Sequence, residues 1–403
     1  MRRADRAAAA ALCLWMVACA SHEIAAPASS PPAARTATAP RSIDLKEDHA
    51  LVETGPPPGG RSAATPPQPP PATTRPDSAP QARPANIPLA GETSDPVDAS
   101  LKAGDRALDR GDLTTAMVSY EAARAAGPKR AAPIVGLARA RVAKENLALD
   151  YASGKGNPAV LAAIRELRRA VSLEPTFGPG QMELGRELLL AGDAAGAVAS
   201  LRKGVELMPD EAEAHSVLGV GLLATGHRDE SLAELARAAT LDPGSAPRHG
   251  NLGTALFMNG RVGDAIKEYE AQVRLADDDP RAHSDLGTAL LASDEVVRAV
   301  AELQRAIQLN PTRATFHSNL GYALQSEGKL TEAVGEYKEA LRLDPKLSSA
   351  WINLATVLAR DPKTRAEARG ALEKARVVDP TDPRVKANLE ELDAVERGSG
   401  TAR

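Results

Sequence analysis

One pattern, recurring about every 34 residues, fills this chain from about residue 97 to 382 and constrains its fold more than any other feature. Small residues mark the copies: Gly104, Gly136, Gly185, Gly219, Gly253, Gly287, Gly321 and Ala355, with every step from Gly185 onward of equal length. Twelve positions further on stands a second small residue, at Ala116, Ala163, Ala197, Ser231, Ala265, Ala299 and Ala333; Ala163 falls into line only after a gap. Another twelve positions on comes proline, at Pro128, Pro175, Pro209, Pro243, Pro311 and Pro345. Small residues let two helices approach closely, and proline stops the second helix. Gly111, Gly192, Gly226, Gly260 and Gly328 end the first helix of their copies. Leu320 with Leu324, and Val334 with Leu341, exemplify the apolar stripe at helical spacing. A fixed period of this length predicts stacked helical hairpins. No copy can bury its apolar face alone, so neighbours stack and leave a long concave surface.

Residues 316–345, FHSNLGYALQSEGKLTEAVGEYKEALRLDP, resemble the tetratricopeptide repeat at nearly every key position. The resemblance implies an all-α, right-handed superhelical solenoid of about eight helix–turn–helix units. They fall at 97–130, 131–177, 178–211, 212–245, 246–279, 280–313, 314–347 and 348–382. Departures are local: Asp277 stands where proline is expected, Asp294 where glycine is, and the eighth copy has one extra residue before Pro380. Val385, Leu389 and Leu392 then form a stripe on a last helix, about 383–396, within a cap and tail at 383–403. The second copy begins its first helix with Ile134, Val135 and Gly136 and ends its second at Ala170 and Pro175. About fifteen extra residues lie between, including YASGKGNP at 151–158. They predict lengthened helices and a protruding turn, which is either a partner-specific protrusion or a tolerated loop insertion.

The first residues read as an export address. Arg2, Arg3 and Arg6 precede an apolar stretch from Ala7 to Ala18, too short for a comfortable membrane span. Met16-Val17-Ala18-Cys19 resembles the bacterial lipobox, with Met16 in place of the usual Leu. That resemblance implies a signal peptide at 1–18 and lipidation of Cys19; the rival is ordinary cleavage after Ala20. One acyl chain holds a protein to a membrane only marginally, with K about 10⁴ M⁻¹, whereas two or more anchor it stably. Ala20 after the cysteine implies an outer-membrane lipoprotein facing the periplasm, the alternative being a soluble secreted or periplasmic protein. Cys13 leaves with the signal, so the mature chain forms no internal disulfide.

Residues 19–96 are expected to be a disordered tether rich in Pro, Ala, Ser and Thr. From His22 to Pro96 lie 17 of the 31 prolines, including Pro56-Pro57-Pro58 and Pro69-Pro70-Pro71. Such runs favour extended polyproline II and bury no core. These seventy-five residues reach at most roughly 230 Å. Ile43 to Val52 is less proline-rich and reads as a docking motif or as plain linker.

A net charge of −4 and the lack of a basic stretch after the signal disfavour nucleic-acid binding. His215, His249, His283 and His317 recur once per copy in the first turn of helix A. They are packing residues, not a zinc ladder: adjacent copies are a helix diameter apart, about 8–10 Å, whereas zinc takes ligands at about 2.0–2.1 Å. Gly154-Lys155-Gly156 lacks the earlier glycine of a phosphate loop, and Gly219-x-Gly221 lies inside a predicted helix. No nucleophile, base and acid can be assembled, so no enzyme, cofactor or metal is expected.

A better candidate site is a second ladder, Asn251, Asp285, Asn319 and Asn353, two positions before the small residue in copies five to eight. In tetratricopeptide proteins this part of helix A faces the concave groove, where an amide can donate to and accept from an extended peptide backbone. Each bond contributes about 0.5–1.5 kcal/mol, so side-chain pockets must add the rest. Phe257, Met258, Thr288, Leu291, Tyr322, Gln325 and Thr356 are expected to line the groove, with Tyr322 and Phe257 as hot spots. Alternatively, the asparagines merely solvate an exposed face. The family's clamp for a C-terminal carboxylate is missing, because Gly250, Ser284, Ser318 and Ile352 stand where a basic residue is needed.

Together these features predict a membrane-anchored, non-enzymatic scaffold that binds a protein or extended peptide. It would assemble an envelope complex such as a pilus, a secretion system or outer-membrane machinery. A periplasmic chaperone or peptide receptor of broad specificity is a second reading. A substrate-recruiting subunit of a separate enzyme is a third.

Overall fold

In the computed structural model the described residues are 87–91, 95–147 and 151–400, without the side chains of 398–400. The expected signal peptide, Cys19, the segment Ile43 to Val52 and most of the expected tether lie outside them. Among the described residues there are seventeen helices and no strand. The eight first helices (A) are α1 Pro96–Asp109, α3 Ala132–Lys144, α5 Gly178–Leu190, α7 Ala212–Ala224, α9 Ala246–Met258, α11 Pro280–Ala292, α13 Ala314–Glu327 and α15 Ser348–Leu358. Their partners (B) are α2 Leu113–Ala126, α4 Pro158–Leu173, α6 Ala194–Leu207, α8 Arg228–Leu241, α10 Val262–Leu275, α12 Val296–Leu309, α14 Leu330–Leu343 and α16 Arg365–Val378. Helix α17, Pro383–Gly400, closes the array.

Each A helix packs on its own B helix, and each B helix on the A helix that follows. Successive A helices also touch one another, whereas B helices have no comparable contact with the next B helix. Crowding on one side alone curves a stack toward that side. The A helices therefore form the concave face of a tetratricopeptide-type solenoid.

The marked small residues work as the sequence implies. In six copies the small residue on helix A faces a fully buried Tyr or Leu on helix B: Tyr120, Leu201, Leu235, Tyr269, Leu303 and Tyr337. A Cβ on Gly321 would lie 2.8 Å from the Tyr337 ring, so only glycine lets that ring lie flat on helix A. Gly111, Gly192, Gly226, Gly260 and Gly328 take φ between 74° and 88° after their A helices, and Asp294 fills the same place at φ 70°.

Two expectations change. Helix α3 has 13 residues, as α5 does, so the insertion does not lengthen it; α4 has 16 against 14 in α6. Nor does the described part of the insertion stand away from the array. Tyr151 donates its hydroxyl to the Gly192 carbonyl at 2.8 Å, and the amides of Ala152 and Gly154 donate to Leu189 and Leu190 at 3.0 and 2.9 Å. Carbonyls at a helix end lack intrahelical partners, and the insertion satisfies those at the end of α5. The second change is in the expected tether. Ile87 and Leu89 are buried while Pro88 and Gly91 are exposed, so this stretch lies along the array with one face down.

At the far end, α17 buries Val385 and Leu392 and half-buries Leu389, as a cap should.

Two glycine substitutions test this packing in opposite directions. Gly321→Ala should lower stability by about 1–3 kcal/mol through overpacking against Tyr337. Gly335→Ala, inside α14 with nothing within 4 Å of the added Cβ, should raise it by about 0.5–1 kcal/mol. Urea denaturation followed by circular dichroism measures both.

Candidate functional site

The concave face is built from the A helices, so a residue's place is set by its distance from the small residue of its copy. Asn251, Asp285, Asn319 and Asn353, two before it, are all half-buried. Two of these amides reach back to the preceding repeat: Asn251 donates to Ser216 Oγ at 3.2 Å, and Asn319 to Ser284 Oγ at 3.4 Å. The ladder therefore stitches repeats together as well as lining the face.

The other predicted residues divide by depth. Tyr322 and Gln325 are half-buried on the face; Gln325 Oε1 accepts the Tyr337 hydroxyl at 2.8 Å. Thr288 is buried and donates to the Ser284 carbonyl at 2.8 Å. Phe257 is only 3% exposed and packs into the core, so its ring supports the face from beneath and presents no open surface as it stands. Leu291 is likewise buried, and Met258 and Thr356 are half-buried.

Sequence reasoning missed a chain of buried charges on the A helices of repeats two to five. Arg139 Nε donates to Glu183 Oε2 at 2.8 Å, with both side chains 3% exposed. Arg186 Nη2 donates to Glu213 Oε1 at 2.7 Å, Arg248 Nη2 lies 3.6 Å from Glu213 Oε2, and Arg248 Nη1 reaches Asp242 at 2.8 Å. Burial pushes the Glu183 carboxyl up, but the charges of Arg139 and Arg186 outweigh it and hold the group below the usual range. For Glu213, burial wins over Arg186 and Arg248 and the net shift is upward. Glu187, beside this chain, has no positive partner as close. Burial first, and the Glu183 charge second, push it up to about 8, and its Oε2 has no hydrogen-bond partner among the described residues. A signal was present. Glu183 occupies the ladder register, and Glu187 stands where later copies have Gly221, Ala255, Ala289, Ala323 and Val357.

The chain ends on the docked stretch. Arg139 Nη1 donates to the Ile87 carbonyl at 2.8 Å, and the Leu89 amide donates to Asp105 Oδ2 at 2.9 Å. Asp105 Oδ1 accepts the hydroxyl of the fully buried Tyr120 at 2.8 Å.

The four histidines make one repeated motif. Each Nδ1 meets a carboxylate on the following B helix, Glu234, Glu268, Glu302 or Glu336, at 2.6–2.7 Å. Each Nε2 meets a carbonyl of the loop before helix A, of Pro209, Pro243, Asp277 or Pro311, at 2.9–3.0 Å. A carbonyl only accepts, so each Nε2 donates a hydrogen to it. The motif fastens helix A to helix B and to the incoming loop. Both ring nitrogens are occupied by protein groups. Trp351 takes the same place in the eighth repeat, donating Nε1–H to the Pro345 carbonyl at 2.9 Å with Lys374 Nζ 4.4 Å from its ring centroid.

Two pH effects follow with opposite remedies. The hydrogen bond that Glu336 accepts raises the His317 pKa above its ordinary value. Its stabilisation is complete below the unfolded value, about 6.5, and is lost as pH rises through the folded value. His317→Gln should therefore cost stability at pH 6 and much less at pH 9, as read by urea midpoints. Folding favours the protonated Glu187, so its penalty grows from about pH 4.5 and is complete by its folded value of about 8. Glu187→Gln should leave the midpoint nearly unchanged at pH 5 and raise it at pH 8.

Family models described as tetratricopeptide repeat match residues 182–246, 251–314 and 314–347. No curated protein matches the chain. Among solved structures, the APC/C hetero-tetramer Cut9–Hcn1 matches with a TM-score of 0.56 at 17% identity, over 73% of this chain and 55% of that one. The chain thus spans about half the length of that protein, and at such identity the likeness concerns the fold alone. YrrB, described as a TPR protein with an unusual peptide-binding site, matches at 22% identity over 48% of this chain and 99% of its own, with a TM-score of 0.38. MamA matches at 25% identity over 40% of this chain and 95% of its own, with a TM-score of 0.37. The chain carries tetratricopeptide repeats, recognised by sequence from residue 182 to 347 within an array of that fold.

Proposed function

We propose that this protein is a non-enzymatic scaffold whose concave A-helix face binds an extended polypeptide. The observation that carries the reading is the half-buried ladder Asn251, Asp285, Asn319 and Asn353, one polar group per repeat on the side where A helices crowd together. Such spacing suits the successive polar groups of an extended chain, and Tyr322 and Gln325 on the same face add side-chain contact. Repeat proteins use their long concave surfaces in this way. The proposal includes a lipid anchor at Cys19, which would hold the array at the outer membrane facing the periplasm. There it would assemble an envelope complex such as a pilus, secretion or outer-membrane machine.

The test is co-purification from detergent-solubilised envelopes, read by mass spectrometry. Wild type is compared with an Asn319→Ala, Asn353→Ala variant of equal abundance. A defined partner group lost from the variant supports a groove-reading scaffold, and partners that persist place the contact elsewhere. Broad capture of many unrelated extended chains would instead favour a chaperone. Cys19→Ala in parallel should release the protein from membranes or block its processing; unchanged retention removes the anchor.

A further inference from the structure

We infer that residues 87–91 are a ligand held in cis: they fill a site on helices α1, α3 and α5 that accepts an extended apolar–Pro–apolar peptide, and a partner presenting that pattern displaces them. This deepens the proposed reading of the A-helix face and extends it from the last repeats to the first three.

The contacts are those of a bound peptide. Ile87 and Leu89 are 8% and 2% exposed, with exposed Pro88 between them, so alternate side chains point into the array. An extended chain has that period of two. The array reads the backbone at both anchors: Arg139 Nη1 on the Ile87 carbonyl and Asp105 Oδ2 on the Leu89 amide. Pro88 has no amide hydrogen to satisfy, so proline fits between the two anchors without leaving a donor unpaired.

Both anchors are held from behind by buried groups. Tyr120 fixes the other oxygen of Asp105, and Glu183 fixes Nε of Arg139. Leaving the site empty would strip the buried Arg139 Nη1 of its acceptor, and buried polar groups without partners are costly. The site therefore favours exchange of one peptide for another over vacancy.

The register agrees with the rest of the face. Asp105 follows Gly104 as Thr288 follows Gly287 and Tyr322 follows Gly321. Glu183 precedes Gly185 by two, as Asn319 precedes Gly321. Only residues 92–94 separate the segment from Asp95, the N-cap of α1. So short a connection gives an effective concentration of about millimolar or more, and a peptide of weak intrinsic affinity would stay docked in cis.

The competing explanation is a fixed cap that covers the first repeats as α17 covers the last. A fluorescein-labelled peptide of residues 84–93 distinguishes the two by anisotropy titration of the full-length protein. An Ile87→Ser, Leu89→Ser variant should bind it at least about tenfold more tightly than wild type, because a site occupied in cis nine-tenths of the time lowers apparent affinity by the free fraction. The same peptide with serine in place of the leucine should bind neither protein. Equal binding to wild type and variant, or a variant that has lost helix content and binds nothing, overturns the inference. A second arm leaves the segment intact and places a protease site within 92–94. After cutting, the released piece should stay bound and exchange with excess free peptide; retention without exchange, or unfolding on cutting, identifies a cap. The Asn319→Ala, Asn353→Ala variant should titrate like wild type, so failure here and failure of the groove reading at the last repeats remain distinct.

Discussion

The structure depends on one contact repeated along the chain: a small residue on helix A facing a fully buried Tyr or Leu on helix B. Gly185 meets Leu201, Gly253 meets Tyr269 and Gly321 meets Tyr337. The absent side chain lets the helices approach, and the large one fills the space without a void. With that spacing fixed, each hairpin presents the same pair of surfaces to its neighbours, and apolar packing runs from Ile87 to Leu222 and again from Leu235 to Leu392. The tyrosine copies carry a second role. Their hydroxyls cross helix A and emerge at Asp105, Thr254 and Gln325, so the core touches the concave face chemically as well as sterically.

Polar interactions then differentiate an otherwise uniform stack. The middle and later repeats, four to seven, share the His–Glu motif, which joins the two helices of one repeat and the loop before them. Repeats two to five share the buried Arg–Glu chain, which crosses repeat boundaries from Arg139 to Arg248 and overlaps the His–Glu motif in repeats four and five. Buried ion pairs add little net stability, because desolvation offsets attraction, but breaking one leaves a costly unpaired charge. Such a chain enforces the relative placement of repeats two to five. It also fixes the guanidinium that holds Ile87, which ties the docked stretch to the stacking of the array.

Much of this was legible in the sequence because a period is a geometric statement. Positions of Gly, Ala and Pro located the hairpins, and αL glycines located the ends of five A helices. Even the departure at Asp294 was placed, since the backbone keeps its positive φ there with a less suitable residue. The histidines were readable as packing residues from spacing alone, though not their partners: Glu336, which meets His317, lies on the other helix of the hairpin. The candidate face was legible only by register. Phe257 and Tyr322 look equivalent as aromatic residues near a groove, yet they sit at different angles on their helices, and one is buried while the other is half-exposed.

The sequence by itself determined the all-helical class, the repeated hairpin pattern and the small residue on helix A at each close approach, but not the Tyr or Leu that faces it. These follow from local spacing, in which each residue's partner lies within one repeat. Tertiary structure alone decided which charges pair across repeats, that Glu187 is buried with one carboxylate oxygen unbonded, that the insertion turns back to cap α5, and that Ile87 to Gly91 lies on the array. Those outcomes depend on which surfaces meet after stacking. Arg139 and Glu183 are 44 residues apart and Arg139 and Ile87 are 52, distances at which no periodicity links one residue to another.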